Sequence, residues 1–315
     1  MESGIVSIRH TARPRRPAGY ALIRLRLAGI CNTDLELQRG YYGFRGRPGH
    51  EFVGEVEASD TQALLGKRVV GEINLACRQC QWCKRGMGRH CPARKVLGIV
   101  NQPGALAEWF LLPDCNLHVV PDRVPDRHAV FTEPIAAACQ ILDQVKIPAR
   151  GQVAVLGDGK LGLLIAQVLR AQGAQVVLFG RHAGKLRIAH AAGVSTVCNA
   201  KHLPVKAFKY VVDATGSAAG LAAAISMTQP RGTVIMKSTV HNLTPLSTAP
   251  VIVDELTLIG SRCGRMEPAL RLLRRGTLRL DEMIAGTYSL TNAREAFTYA
   301  ASSGVLKVLV GTENH

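Results

Sequence analysis

The chain predicts an α/β protein in which a doubly wound parallel sheet follows a β-rich, loop-rich first part. Three observations carry that expectation. Beyond Glu133, strand-like runs alternate with segments of helix length, the pattern of a parallel sheet covered on both faces. From Ala21 to Glu57, short β-like runs are separated by glycine-bearing turns,. Residues 77–91 form a cysteine-rich, basic excursion without periodicity, so something other than an apolar core must hold it.

In order, ALIRLRL and EFVGEVE are the first expected strands. IAAACQILDQVK carries apolar residues at helical spacing, with Pro134 suited to a first helical turn,. VAVLG reads as a buried strand, followed by a glycine turn and the helix LGLLIAQVLRAQG, which stops at Gly173. VVLFG, KLRIAHAAG, VVDATG, a helix through Met227, GTVIMK and LTLIG continue the alternation. The end is mixed, with helices near Pro268–Arg275 and Ala293–Ser302 and a last strand KVLV.

A chain of 315 residues has room for two compact domains, and 47% apolar with 20% charged residues is ordinary for a globular protein,. No apolar run reaches the ~18 residues of a membrane span, and Met1 to Ala12 holds no continuous apolar segment of the secretory kind,. A cytoplasmic protein without a membrane partner is therefore expected. The net charge of +16 admits anionic partners, but the basic residues are scattered, with small clusters at Arg13–Arg16 and Arg271–Arg275. With only 5% aromatic residues and no recognisable nucleic-acid motif, the sequence argues against nucleic acid,. The nine cysteines are odd in number and four are tightly clustered, which fits metal-bound thiolates in a reducing compartment better than disulfides,.

Gly157-Asp158-Gly159-Lys160-Leu161-Gly162 fits G-x-G-x-x-G between a strand and a helix. Gly157 makes the turn, Gly159 lets backbone approach a pyrophosphate, and Gly162 packs helix on strand. The helix N-terminus adds N–H groups and partial positive charge for the phosphates. An NAD site places an acid at the end of the second strand, on the ribose 2′-hydroxyl. Here that strand ends in Gly180-Arg181-His182, with Lys185 close behind. Glycine makes room and Arg181 offers a fork for a 2′-phosphate, so NADP is favoured over NAD. The other reading is that Arg181 faces solvent.

Cys77-x2-Cys80-x2-Cys83-x7-Cys91 offers four thiolates, the donor set of a closed, structural zinc site. Separately, Cys31-Asn32-Thr33-Asp34 and Gly49-His50-Glu51 follow strand-like runs in the first part. One thiolate and one imidazole alone do not make a site.

Gly29–Asp34, Gly49-His50-Glu51, the four-cysteine lobe, Thr132-Glu133-Pro134 and Gly157–Gly162 occur in one order. That order resembles the zinc-containing medium-chain dehydrogenases (alcohol, sorbitol, threonine and glucose dehydrogenases) over nearly the whole chain. The resemblance implies a partly open, GroES-like β-barrel catalytic domain, residues 1–137 and 259–315, around a Rossmann domain, residues 138–258. It implies two zinc ions, one structural in lobe 77–91 and one catalytic. Cys31, His50 and Glu133 are the implied ligands of the catalytic zinc, with Glu51 an exchangeable ligand. Asp34 would orient His50, and Thr33 would pass the substrate proton to solvent. The implied reaction moves hydride between an alcohol or polyol, or the matching carbonyl, and a nicotinamide dinucleotide.

Glu36 stands where many relatives have a relay histidine, and some aldose dehydrogenases carry Glu there, so Glu36 would either replace the relay or contact a sugar hydroxyl, and an aldose substrate is the alternative. Lys307 resembles a basic residue that touches the cofactor phosphates, although an exposed lysine would fit the position as well. Relatives in this family are dimers or tetramers, which implies self-association. A non-catalytic zinc and nucleotide-binding protein is the reading from a different class; Cys31, His50 and Glu133 are all present, which speaks against it.

Overall fold

The structure, a computed structural model, describes residue 1, residues 4–238 and residues 246–312. Strands β1 (Tyr20–Ile30), β2 (Glu51–Ala58), β3 (Arg68–Gly71) and β4 (Asn74–Leu75) come first. They are followed by β5 (Lys95–Leu97), β6 (Asn101–Gln102), β7 (Trp109–Pro113) and β8 (Leu117–Val119). The helices of this stretch are α1 (Asn32–Gln38), α2 (Gln81–Lys84), α3 (Asp126–Ala129) and α4 (Thr132–Gln144). Next come strands β9 (Gln152–Leu156), β10 (Gln175–Gly180), β11 (Ser195–Cys198), β12 (Phe208–Asp213), β13 (Thr228–Met236) and β14 (Thr257–Gly260). Helices α5 (Lys160–Ala171), α6 (Ala183–Ala191), α7 (Ala218–Met227), α8 (Ala249–Val253) and α9 (Met266–Arg275) accompany them. The chain closes with β15 (Ile284–Ser289), α10 (Ala293–Ala300) and β16 (Lys307–Gly311).

Two compact units result. The first comprises Met1–Glu133, Ala269–Arg274 and the chain from Ile284 on. Its main sheet runs β15-β16-β1-β2-β3-β8, with β7 also paired to β1. β1 is the hub: it is buried along nearly its whole length and pairs antiparallel with β2, β7 and β16. Antiparallel pairing brings the end of β1 beside the beginnings of β2 and β16, with Gly29 opposite Glu51 and Ile30 opposite Val308. Ile30, Leu35, Phe297 and Val308 pack in one buried cluster that fastens α1 and α10 at that end of the sheet. Farther along, Asp126 of α3 joins β1 to β3 by accepting from Arg26 at 2.5 Å and Arg68 at 2.7 Å. The cysteine lobe adds a small sheet, β4-β5-β6, and the single turn α2.

The second unit comprises Pro134–Pro268 and Arg275–Met283. Its six strands are all parallel, in the order β11-β10-β9-β12-β13-β14, as the alternation predicts. β9 is central and apolar without alternation, because a parallel strand with both faces covered has no wet side,. α5 stops at Gly173, which takes φ +92° just past the helix end,. The sequence reading missed β11, whose four residues at the sheet edge are only partly buried and carry little apolar signal,. Among the described residues no helix is long and apolar enough to cross a membrane.

Candidate functional site

Cys31 directly follows β1 and His50 directly precedes β2, so strand pairing delivers both to the same end of the sheet. Asp34 is fully buried there and accepts from the N–H of Cys31 at 2.8 Å and of Gly49 at 3.1 Å. Its Oδ1 also lies 3.4 Å from His50 Nδ1. Burial alone would lower the pKa of His50 and raise that of Asp34. Their mutual attraction outweighs it, holding His50 well above the usual imidazole range and Asp34 below the usual carboxylate range,.

Cys31 Sγ, a ring nitrogen of His50 and a carboxylate oxygen of Glu51 lie within 4.8 Å of one another. Thiolate, imidazole and carboxylate are donors that zinc accepts, and a carboxylate on one imidazole nitrogen leaves the other for the metal. The donor set therefore fits zinc. Thr33 Oγ1 lies 3.8 Å from Cys31 Sγ, so the expected relay hydroxyl stands beside the cluster.

Three expected residues sit differently from the cluster. Glu133 is half-buried in the first turn of α4 and does not belong to the group within 4.8 Å. Glu36 pairs with Arg39 one turn on, at 2.6 Å on an exposed face of α1. Lys307 is only 1% exposed, which removes the alternative of a surface lysine. Its ammonium pairs with Glu51 and lies 5.8 Å from the centroid of the Phe131 ring.

Cys77, Cys80, Cys83 and Cys91 lie together in the lobe. Sγ atoms of Cys77 and Cys83 are 3.9 Å apart, Cys80 and Cys83 3.5 Å, and Cys80 and Cys91 3.8 Å. Four sulfurs each ~2.3 Å from a central zinc would be ~3.8 Å from one another in a tetrahedron. The thiol of Cys77 is pulled down to about 6, chiefly by the backbone N–H groups of Gln79 and Cys80. Desolvation and the neighbouring Cys80 push the Cys83 thiol the other way, up to about 12, so the thiolate that a metal ligand needs is favoured at Cys77 but not at Cys83,.

In the second unit, Gly157 takes φ +107°, and a Cβ there would meet Ala214 O at 2.7 Å. A Cβ at Gly162 would lie 1.9 Å from Gly157 O, so the helix seats against the loop only through glycine. A Cβ at Gly159 would meet nothing within 4 Å, leaving the open approach to backbone and to the start of α5 that a pyrophosphate requires,. These features fit a dinucleotide.

Asp158 is the residue that sequence reasoning passed over. Its Oδ2 accepts from the backbone N–H of Arg181 at 2.8 Å and of His182 at 2.6 Å. Both of its oxygens lie 3.1 Å from His182 Nδ1. Burial would raise its pKa, but the His182 and Arg181 donors win and hold it below the usual carboxylate range,. The room expected at Gly180 is taken by this side chain: a Cβ at 180 would lie 2.6 Å from Asp158 Cβ and Oδ2. Arg181 and His182 are exposed and Lys185 is half-buried. The available signal was an acid inside a loop that cradles anions.

Residues 17–122 match the family model of the alcohol dehydrogenase GroES-like domain, and residues 161–275 that of the zinc-binding dehydrogenases. The chain is 31% identical over 261 residues to the D-altritol 5-dehydrogenase of Agrobacterium fabrum, covering 78% of this chain and 77% of that one. It is 29% identical over 321 residues to the D-arabitol-phosphate dehydrogenase of Enterococcus avium, covering 94% and 91%. Among solved structures, a zinc-binding dehydrogenase of Sinorhizobium meliloti bound to NADP superposes with a TM-score of 0.91 at 27% identity, covering 98% and 97%. The alcohol dehydrogenase of Thermus sp. ATN1 gives the same TM-score at 28% identity, covering 99% and 98%.

Proposed function

Because the chain belongs to the zinc-containing medium-chain dehydrogenases and is an alcohol or polyol oxidoreductase of that family, we propose that its substrate is a polyol oxidised at the Cys31/His50 centre. The observation that carries this reading is the buried group of Cys31, His50 and Glu51 with Asp34 behind the imidazole. The names of the relatives support a polyol: beside the two above, an erythritol/L-threitol dehydrogenase and a sorbitol dehydrogenase match over 94% and 98% of the chain. The aldose alternative drew on Glu36, whose carboxylate is engaged with Arg39, so no observation favours it.

Cys31 and His50 are the proposed holders of the catalytic zinc, with Glu133 carried over from the family pattern and Glu51 as a further carboxylate at the cluster. Zinc, when bound, supplies Lewis-acid polarisation of the substrate oxygen, and the nicotinamide ring takes the hydride. The protein's own part is positional and protonic. Asp34 fixes the ring of His50 and, through the N–H of Cys31, the entry to α1. Thr33 places a hydroxyl 3.8 Å from the Cys31 sulfur, where it accepts the substrate's proton and passes it on,. Lys307 neutralises Glu51, so the buried pair adds no net charge beside the cluster.

Two sets of residues bear on the 2′-phosphate with opposite sign. Arg181 and Lys185 support NADP, as does the NADP-bound relative, whereas the carboxylate of Asp158 opposes it.

His50→Ala is expected to abolish turnover while leaving dinucleotide affinity nearly intact. Surviving turnover in that variant would refute the assignment. A panel of polyols, simple alcohols, aldoses and amino alcohols, each with NAD and NADP, tests the substrate class; activity confined to simple alcohols would overturn the polyol reading.

A further inference from the structure

Two facts about Asp158 pull in one direction. First, a dinucleotide loop receives an anion, and a carboxylate placed within it is repelled by that anion unless it serves a purpose. Second, the side chain lies where the side chain of residue 180 would otherwise be, 2.6 Å from the site of a Cβ at Gly180. Position 180 ends β10, the second strand of the dinucleotide unit, where NAD-binding proteins carry the acid for the ribose 2′-hydroxyl,.

We propose that Asp158 replaces in space the acid missing from the end of β10, so that it accepts the 2′-hydroxyl of the adenosine ribose and makes the protein selective for NAD over NADP. This rests on the dinucleotide reading above. The side chain is held for the task. Oδ2 is occupied by the N–H groups of Arg181 and His182, and among the described residues the hydrogen-bond partner of Oδ1 is the His182 ring. A carboxylate offers about four lone-pair directions, so Oδ1 retains capacity for a hydroxyl donor. Those same two backbone N–H groups would be natural partners of a 2′-phosphate, and Asp158 already takes them. A phosphate arriving there meets a carboxylate whose pKa is held below the usual range and so is ionised at neutral pH. Arg181 supplies its backbone to this arrangement, and its exposed side chain is not required to read a phosphate.

Calorimetric titration of the purified chain with NADH, NADPH, AMP and 2′,5′-ADP tests the assignment without relying on turnover. Unmodified protein is expected to bind NADH at least about tenfold more tightly than NADPH, with AMP and 2′,5′-ADP in the same order. Asp158→Asn should move that ratio about tenfold toward NADPH by weakening NADH. The double variant Asp158→Gly with Gly180→Asp, which returns the acid to the strand end, should restore the preference for NADH. An Asp158 that merely buttresses the loop would cost both dinucleotides equally, and that result overturns the proposal. Tighter NADPH binding by the unmodified protein overturns it as well, whether or not the variants fold. If neither dinucleotide binds, the functional reading itself fails and this inference with it.

Discussion

Asp34 faces three groups with one carboxylate, accepting from the N–H of Cys31 and of Gly49 and lying 3.4 Å from Nδ1 of His50. Asp34→Asn preserves the shape but removes the charge that fixes the imidazole. It is expected to lower zinc affinity at the Cys31/His50 centre by about 10–100-fold. Competition against a chelating dye measures this, and an affinity unchanged from the unmodified protein would remove Asp34 from that role. The residues of this centre were legible because thiol, imidazole and carboxylate stand in short motifs that resemble a known order. Asp158 was not, because it occupies an x position of its motif, where the pattern sets no requirement. Lys307 was half legible: its place in KVLV marks a strand, but only the sheet, in which β1 lies between β16 and β2, shows that Glu51 is its partner.

At the scale of elements, Asp126 ties α3 to β1 and β3 through Arg26 and Arg68. Burial opposes its ionisation, yet the two guanidinium groups prevail and its pKa is lowered,. A carboxyl that binds its proton less readily in the folded state than in the unfolded one stabilises the fold above its unfolded pKa of ~3.9. That contribution is lost as pH falls from there through the lower folded value. Asp126→Asn should therefore lower the urea midpoint at pH 7, and the gap from the unmodified protein should close as the pH falls through and below ~3.9. A gap that stays constant over this range would show that the charge is not the stabilising feature. The long elements here were readable because their apolar runs are continuous or helically spaced. β7, β8, β11 and β15 are short and partly exposed, so they depend on partners distant in the chain.

For the whole molecule, zinc bound at both cysteine-bearing clusters would give the expected outcome of about two zinc ions per chain. Metal analysis of the intact protein and of Cys80→Ser checks this. The variant should retain about one zinc and still bind dinucleotide, because the lobe lies in the first unit and the glycine loop in the second,. A single zinc in the unmodified protein would sink one of the two assignments. The positive charge is spread over much of the chain, and the described ion pairs use part of it, as in Arg13 with Glu57 and Arg16 with Asp60. The sequence by itself determined the alternation of strands and helices, the two sulfur-bearing motifs and the glycine loop, because period, turn chemistry and ligand spacing are local properties. The tertiary structure decided which carboxylates meet which cations. Glu51 met Lys307 and Asp158 filled the space left by Gly180, whereas Glu36 found Arg39 locally, one turn on. Two of these meetings are set by pairing between distant strands and by the approach of a loop to a strand end, which residue order encodes only through the fold.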